Sequence, residues 1–599
     1  MRLLEIISVR RLAAAGVLAG AIWCAPAHAQ VLDQVPADAL AVFKVKDLEK
    51  TSGKIAKLAK DFGLDELSPE MKDPLGSLLD KAKMTKGIDK SGDGALVIYA
   101  PDEKAGGDPE PIALIPVSDY DAFVGNFEKA DKNDGGEGLT AVKDPDDGKT
   151  LYVGHRGKYA ILSDKKDHLK SKGGIHLSAL AAKEADAKDA VFFFNMDVVR
   201  EKALPQIKDH RKEMMAEMDK TLAGEETIKP FAPVIETIVN KMVDTAQDFL
   251  TDADSVVFSL NISDTGINSA ALVDFKPDSK LAKTVAALKA GNSPLLAGLP
   301  EGKYFLIAGG SFDSKAIGGI AAEWLDPVIK GLKDTNTDSG KKIASGVDAF
   351  KTVMSSSNHS AVGLVMPTKP VGQDSLIQEV SVIYGDARAI TSGEKKMLTD
   401  MSDLMALLPE NKAAKTSIVI GDQKTVDGVE LTTYTNKFEF DKTDPQGLAV
   451  DQYMKMIYGP NGNSGAFGAV NDKTFIMTQG VDDELLKEVI SSAKAEKDVL
   501  SDSAYIKSVS SQLPANPSAV YYIALDNIVK TALRYAQGFG LPIKVKLPDN
   551  LPPIGIAIAT EEGSVRVESV IPTETVKAFI SAGLQTYSDM QQGGKGGGL

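Results

Sequence analysis

The sequence feature that most constrains the fold is a strand followed by a helix, which recurs along the chain. The short apolar strand Val35–Phe43 leads into a helix that we expect to start near Asp47. Later, Leu299–Ile307 plays the same part before a helix from about Asp313. Because a pattern that returns in this way is typical of an internal repeat, one supersecondary unit is predicted to be used more than once.

A second pair of matching strands supports this interpretation. Asp189–Phe194 and Ser518–Ile523 are both short apolar runs. Each is followed by an aspartate, Asp197 or Asp526, which we expect to cap the next helix by accepting hydrogen bonds from free helix N–H groups.

After each strand and helix, the sequence predicts a β-hairpin and one more helix. Asp264-Thr265-Gly266, between two alternating apolar runs, is the clearest turn signal. The four predicted hairpins join Ala95–Ala100 to Ile112–Val117, Val256–Ile262 to Ile267–Phe275, Ala361–Met366 to Ile377–Tyr384, and Ile554–Ala559 to Val565–Ile571. The predicted unit is therefore β-α-β-β-α, used four times.

We interpret this pattern as an α+β fold of two tandem homologous halves, residues 31–293 and 294–587. The strand-rich segments Leu139–Lys172 and Val429–Lys497 take equivalent places in the two halves. Because hairpins join antiparallel neighbours, the sheets are expected to be largely antiparallel. Residues 588–599 form a Gly-rich tail that we expect to be flexible.

Each half has one segment that the other lacks. In the first half, a long helical insert is expected near residues 201–250, with two apolar stripes at helical spacing. The stripes consist of Met214, Met215, Met218 and Leu222, and of Phe231, Val234, Ile235, Ile238, Val239, Met242, Ala246 and Phe249. They either pack on the sheet of their own half, the favoured interpretation, or form a projecting hairpin that docks a partner.

The extra segment of the second half is Pro445–Gly468. It holds a predicted helix with Tyr453, Met454 and Met456, followed by the Gly/Asn-rich loop Gly459–Gly465. Such a loop either turns the chain, which we favour, or brings backbone amides close to a ligand.

Residues 1–29 have the three parts of a signal peptide. Arg2, Arg10 and Arg11 form a basic region before the short apolar core Leu12–Ile22, and Ala27 and Ala29 supply the small residues that signal peptidase requires. The core is too short to span a bilayer, so no retained anchor is expected. Export with Gln30 as the first mature residue is therefore predicted, in a periplasmic or secreted protein.

The mature chain is acidic and lacks cysteine. Its 65 basic and 82 acidic side chains give a formal charge of −17, and the single cysteine, Cys24, lies in the leader. A surface of this charge repels nucleic acid and anionic lipid headgroups. The absence of cysteine excludes disulfides, thiolate catalysis and Cys-ligated metals.

The sequence predicts no catalytic, cofactor-binding or metal-ligating residue, and no cofactor. The five mature histidines lack the spacing of metal ligands, and no phosphate-binding glycine loop occurs. Gly309-Gly310-Ser311 is not followed by the glycine of a nucleophile elbow. The loop Asp89–Gly94 resembles the first half of a calcium loop, but Ala100 stands where a bidentate glutamate is needed, so a turn is favoured.

The phrase Val35-Pro36-Ala37-Asp38, followed by the strand Ala41–Val45, resembles a loose class of uncharacterised exported α+β proteins typical of planctomycete-type bacteria. Members of the class repeat the phrase later in the chain, as Leu299-Pro300-Glu301-Gly302 does here with a departure in its last two residues. The resemblance implies export and this architecture, and the class has no known activity that could be carried over.

Three functions remain open from the sequence. The leading hypothesis is an exported envelope protein that acts as a non-catalytic binding or scaffold module with an envelope protein partner. The alternatives are a hydrolase whose active site the sequence does not locate, and a carrier of an apolar ligand held under the long helices of the first half. No nucleic acid partner and no transmembrane segment of the mature chain are expected.

Overall fold

A computed structural model describes most of the chain from residue 31 onward. The described residues are 31–100, 110–129, 138–144, 148–170, 174–224, 229–288, 291, 294–373, 375–407, 414–440, 445–459, 463–538, 545–561 and 563–593. The predicted signal peptide, the acidic segment 131–137 and the end of the Gly-rich tail lie outside these ranges. Helices and strands are mixed, with a large antiparallel sheet, so the predicted α+β class is confirmed.

The strands range from 4 residues (Thr140–Lys143) to 13 residues (Ala414–Val426), and many of them show the period-two alternation of buried side chains. In chain order they are β1 (Ala41–Val45), β2 (Gly94–Tyr99), β3 (Glu110–Pro116), β4 (Thr140–Lys143), β5 (Thr150–Arg156), β6 (Tyr159–Ser163), β7 (Ala190–Asn195), β8 (Ala253–Ile262), β9 (Gly266–Phe275), β10 (Tyr304–Ser311), β11 (Ser357–Val365), β12 (Gln378–Gly385), β13 (Ala414–Val426), β14 (Val429–Phe440), β15 (Asn463–Asn471), β16 (Thr474–Gln479), β17 (Ala519–Ile523), β18 (Ile554–Glu561) and β19 (Ser564–Pro572).

The helices occupy the connections between these strands and the end of the chain. In chain order they are α1 (Leu48–Asp61), α2 (Leu64–Leu67), α3 (Pro74–Lys81), α4 (Tyr120–Val124), α5 (Lys166–Lys170), α6 (Ala179–Ala187), α7 (Met196–Ala223), α8 (Ala232–Asp252), α9 (Lys280–Ala287), α10 (Ser314–Asp334), α11 (Asp338–Ser356), α12 (Ala387–Leu407), α13 (Pro445–Tyr458), α14 (Asp483–Ala495), α15 (Ala504–Ser510), α16 (Leu525–Gly538) and α17 (Thr573–Gly593).

The chain forms two compact units. Unit 1 comprises Met1–Gln206, Phe249–Ala282 and Gly563–Ser581, and unit 2 comprises Ile207–Asp248, Lys283–Glu562 and Ala582–Leu599. This division follows contacts in space, whereas the predicted boundary at residue 293 follows a repeat in sequence. The repeat boundary stays a prediction.

In unit 1, ten strands pair in the order β4-β5-β6-β3-β2-β1-β7-β8-β9-β19. Every neighbouring pair is antiparallel. The β8–β9 hairpin turns at Asp264, as its sequence predicts. The main core of the unit includes Val42, Val97, Phe193 and Leu272, one side chain from each of four strands, all nearly inaccessible to solvent.

A buried ion pair lies at the centre of the unit 1 sheet. Lys44 of β1 is almost fully buried, and its Nζ lies 2.8 Å from Oδ2 of Asp93 and donates to the carbonyl oxygen of Ala185 at 2.7 Å. The other oxygen of Asp93 accepts the backbone N–H of Asp47 at the start of α1. Asp93, one of the candidate calcium donors, is therefore occupied in holding strand β1.

In unit 2, nine strands pair in the order β13-β14-β15-β16-β12-β11-β10-β17-β18, again with every neighbouring pair antiparallel. One core cluster packs Tyr434, Phe467 and Phe475 of the sheet against Ile390 of α12. Strand β10 is paired on both edges, with β11 on one side and β17 on the other.

Gly309 of β10 has a packing role rather than a catalytic one. A Cβ at this position would lie 1.9 Å from the carbonyl oxygen of Leu295, so only glycine allows this close approach. The same carbonyl accepts a hydrogen bond from Nε2 of His359 at 3.0 Å. His359 is 2% exposed and stacks on Tyr384, and burial lowers its pKa.

The two long helices are not packed as we expected. Among the described residues between 201 and 250, Val234 is the only buried one, and it packs with Ile329, Leu332 and Ala344 of α10 and α11. Met214 is 41% exposed and Met242 is 59% exposed. The favoured interpretation, burial of both stripes on the sheet of their own half, is therefore wrong for most of the two stripes, because Val234 packs against a helix pair. Among the described residues of the stripes, only Phe249, near the end of α8, is seen in a ring contact with that sheet, where its centroid lies 6.1 Å from that of Phe275 of β9.

Two expected helix caps are also wrong. Asp313 and Asp482 cap α10 and α14 through backbone N–H groups, as aspartates before helices usually do. Asp197 and Asp526 instead lie inside the first turns of α7 and α16, which begin one residue earlier. Their carboxylates pair along the helix with Arg200 and Lys530, respectively.

We predict that Asp93→Asn destabilises the protein by about 3 kcal/mol, because it leaves the buried Lys44 charge without a counter-charge. Urea unfolding followed by circular dichroism measures the loss. Asp89→Asn, in the same loop, is the matched control, since its carboxylate accepts only from Ser91 in the same turn. Equal losses in both variants would contradict a special role for the ion pair.

A second prediction concerns acid sensitivity. Because burial lowers the pKa of folded His359, the unfolded chain binds a proton here at a higher pH than the folded protein does. The stability that neutral His359 contributes is therefore fully present above a pH of about 6.5 and is lost as the pH falls below that value. The His359→Gln variant should lose less stability than the wild type between pH 7.5 and pH 5.

Urea midpoints at the two pH values test this expectation. The control is His155→Gln, since His155 is exposed on β5. That variant should keep the pH dependence of the wild type. An unchanged dependence in His359→Gln would show that the proton is taken up elsewhere.

Candidate functional site

An apolar cavity of about 420 Å³ is the most distinctive concave feature of unit 2. Strands β10 and β11 contribute Phe305 and Leu364 to its lining, and the segment before β12 contributes Leu376 and Ile377. Its size lies within the range of small-molecule sites, and its lining is predominantly hydrophobic, as in most such sites.

Two helices form the remaining walls. Along α16, Ile528, Ala532 and Tyr535 are spaced by four and three residues and therefore share one face of the helix. The wall from α13 consists of Tyr453, Met456 and Ile457. Tyr453 is 55% exposed, so the cavity is open to solvent along this helix.

One polar group in the lining stands out. Thr531 of α16 is 2% exposed, and its Oγ1 has no hydrogen-bond partner within the protein. A buried hydroxyl without a partner costs about 1–3 kcal/mol. A polar group kept at this cost within an apolar lining marks the cavity as a candidate functional site.

A second, polar pocket of about 310 Å³ lies at the carboxyl end of α13. Its lining includes four charged side chains and seven with hydroxyl groups, and the latter are Ser375, Thr433, Tyr434, Thr435, Tyr458, Ser464 and Thr478. Oγ of Ser464 lies 3.0 Å from Oγ1 of Thr435, and the hydroxyl of Tyr434 donates to the carbonyl oxygen of Thr478.

The charges in the polar pocket are paired. Nζ of Lys369 lies 2.5 Å from Oδ2 of Asp482, and Lys424 forms an ion pair with Asp483. The backbone N–H of Leu485, followed by Lys369, holds the pKa of Asp482 below its usual range. The pocket therefore presents two compensated ion pairs at the start of α14.

The two cavities are adjacent. Ser375 lines the polar pocket, and the next residue, Leu376, lines the apolar cavity. On α13, Ile457 lines the apolar cavity and Tyr458 the polar pocket. The backbone N–H of Leu376 donates to the carbonyl oxygen of Ile457 at 2.6 Å, so one stretch of hydrogen-bonded backbone separates the two spaces.

The sequence located only part of this site. It singled out Pro445–Gly468, which supplies α13, and placed ligand contacts in the loop Gly459–Gly465 as the less favoured alternative. Gly459, Ser464 and Gly465 do line the polar pocket, while residues 460–462 lie outside the described ranges. The stripe on α16 was missed, although the spacing of Ile528, Ala532 and Tyr535 was a readable signal.

Three of the histidines pack against tyrosine rings. His155, His168 and His359 each stack on a tyrosine, with ring centroids 4.2 to 5.0 Å apart. Within the ranges that the structure describes, His, Asp and Glu side chains form no group of three that could hold a metal ion. None of the described helices has the length and hydrophobicity needed to cross a membrane.

Comparisons with known proteins add little. No family model matches the sequence, and a search of curated proteins gives no match. One solved structure, described as "Structure of crystal form III of TP0453", is similar over 49% of this chain and 100% of that chain, at 8% identity. Its TM-score is 0.20, which carries no argument about fold or function.

We predict that Thr531→Val stabilises the protein by about 1 kcal/mol, because valine keeps the shape and removes the unpartnered hydroxyl. The matched control Thr531→Ala removes a methyl group as well and should destabilise it. Thermal unfolding of both variants is the measurement. A loss of stability in Thr531→Val would show that the hydroxyl has a stabilising partner.

Proposed function

We propose that this protein is an exported, non-catalytic binding module of the cell envelope, and that the apolar cavity of unit 2 takes an apolar ligand. The observation that carries the proposal is the cavity itself, with hydrophobic side chains on strands β10 and β11 and on helices α13 and α16. An alkyl chain or another flexible apolar group fits this lining, because its transfer from water is favourable without specific polar contacts.

We also propose that the chain consists of two tandem homologous halves, 31–293 and 294–587. The pairing orders support this duplication. The series β4, β5, β6, β3, β2, β1, β7, β8 of unit 1 matches β14, β15, β16, β12, β11, β10, β17, β18 of unit 2, place by place. The order β-α-β-β-α occurs four times along the chain.

Under the proposed duplication, one wall of the apolar cavity is specific to the second half. In the first half, residues 144–149 join β4 to β5, whereas in the second half residues 441–462 join β14 to β15 and contain α13. One wall of the cavity is therefore built by a helix that the first half lacks. An element added to a shared framework is a reasonable place for a specialised function.

The proposed compartment rests on the sequence. The leader 1–29 and the resemblance to exported planctomycete-type proteins support a periplasmic or secreted location. The carrier hypothesis placed an apolar ligand under the helices near 201–250, whereas the apolar cavity is lined by α13 and α16. The described residues suggest no position for a hydrolase active site.

A protein partner is the second candidate function. Met214, Ile238 and Met242 are exposed hydrophobic side chains on α7 and α8, and Arg211 joins the two helices through Asn240 and Asp244. A rigid helix pair with exposed methionines suits the docking of an envelope protein.

Fluorescence of N-phenyl-1-naphthylamine tests the proposed function, because the dye brightens in apolar surroundings. We expect the mature protein to bind the dye and Ala532→Trp to weaken binding about tenfold, since the indole fills the mouth of the cavity. Gln537→Trp, on the exposed end of the same helix, is the matched control and should bind normally. Absence of binding to the wild type, or equal binding by Ala532→Trp, would contradict the proposal.

A further inference from the structure

We propose that the mouth of the apolar cavity is a docking surface for a lipid membrane whose headgroups carry no net charge, and that the protein takes its apolar ligand directly from this membrane. The inference rests on the proposed function and goes further by naming the surface that delivers the ligand. It follows from exposed apolar side chains that continue the cavity lining outward, and from the pairing of the charges beside them.

Exposed apolar side chains surround the mouth of the cavity. On α13, Tyr453 is 55% exposed and Val450 is 42% exposed, and Ile528 of α16 is 39% exposed. Ala449 of α13 and Ala532 of α16 are exposed as well. Such side chains need no explanation when they are scattered singly, but a cluster of them at the entrance of an apolar cavity indicates a surface that meets an apolar partner.

The exposed cluster is continuous with the lining of the cavity. Val450, Tyr453 and Ile457 are spaced by three and four residues and therefore share one face of α13. Tyr453 and Ile457 line the cavity, whereas Val450 lies one turn nearer the start of the helix and is not part of the lining. One apolar helix face thus extends from the protein surface into the cavity.

An apolar ligand selects a membrane as the occupant of this surface. Such a molecule is poorly soluble in water and dissolves in the hydrocarbon core of a bilayer. When the mouth touches the bilayer, the ligand passes from one apolar phase to another without crossing water. Tyr453 suits this position, since a tyrosine at a membrane interface keeps its ring in apolar surroundings and its hydroxyl group in water.

The charges beside the mouth favour headgroups without net charge. On α13, Nζ of Lys455 lies 2.8 Å from Oδ2 of Asp451. On α16, Nζ of Lys530 lies 3.4 Å from Oδ2 of Asp526 and 2.7 Å from Oδ1 of Asp549. Both lysines are therefore paired, whereas attraction to anionic lipids requires a cluster of basic side chains that is not neutralised. The acidic mature chain also repels an anionic surface.

Flotation with vesicles of phosphatidylcholine tests the inference. We expect the wild-type mature protein to float with the vesicles. A variant that carries both Ala449→Glu and Val450→Glu should partition into them about tenfold less, because charged side chains replace apolar ones at the docking surface. Glutamate is a good helix former, so α13 is kept. Neither residue lines the cavity, and the double variant should therefore bind N-phenyl-1-naphthylamine like the wild type.

The matched control carries Met242→Glu and Ala246→Glu. It adds the same two charges to α8, where Met242 is 59% exposed and Ala246 is exposed too. Because α8 contributes no residue to the lining of the cavity, this variant should float like the wild type. A loss equal to that of the α13 variant would overturn the inference, since it would report the added charge and not the docking surface.

The remaining outcomes separate the inference from the proposed function. The inference is overturned if the wild type does not float, if the α13 variant floats equally well, or if flotation requires phosphatidylglycerol in the vesicles. In each case dye binding by the wild type leaves the proposed function standing. A dimer of the wild type in light scattering that the α13 variant lacks would show that a second copy covers this surface, and would also overturn the inference. Absence of dye binding to the wild type would overturn the proposed function itself.

Discussion

Antiparallel pairing of β10 on both of its edges is the interaction on which the rest of unit 2 depends. The strand exchanges backbone hydrogen bonds with β11 on one side and β17 on the other. Gly309 lets the Leu295 carbonyl approach the strand, and His359 of β11 donates to that same carbonyl. Because α16 follows β17 directly, the place of β17 in the sheet also determines where the α16 wall of the apolar cavity lies.

In unit 1, the strand β1 is held in the sheet by a buried ion pair as well as by backbone pairing on both edges. The strand carries Lys44, whose charge is buried and must be compensated. Asp93 supplies the counter-charge and also accepts the N–H of Asp47, so one carboxylate connects β1, the loop before β2 and the start of α1. A polar cluster of this kind specifies a single arrangement, because any other leaves a buried charge unpaired.

The two units share a strand order over eight strands but differ in the connections between those strands. The sheet positions of β14 and β15 require only that the two strands be joined, and the six residues 144–149 do this for β4 and β5. The longer connection of the second half folds into α13, which borders the apolar cavity with one set of residues and the polar pocket with the next. The stability of the sheet and the chemistry of the site are thereby carried by different segments.

The sequence by itself determined most of the strands, three of the predicted hairpins and the start of α10 near Asp313, because alternation, turn residues and aspartates before helices act over a few residues. It indicated that Pro445–Gly468 was special without showing what the segment does. Tertiary structure decided the rest. The partner of Val234 lies about a hundred residues away in sequence, the ion pair of Lys44 joins separate segments, and the cavity needs β10, α13 and α16 together. Such contacts depend on which surfaces meet after the sheet forms, and no local pattern records that choice.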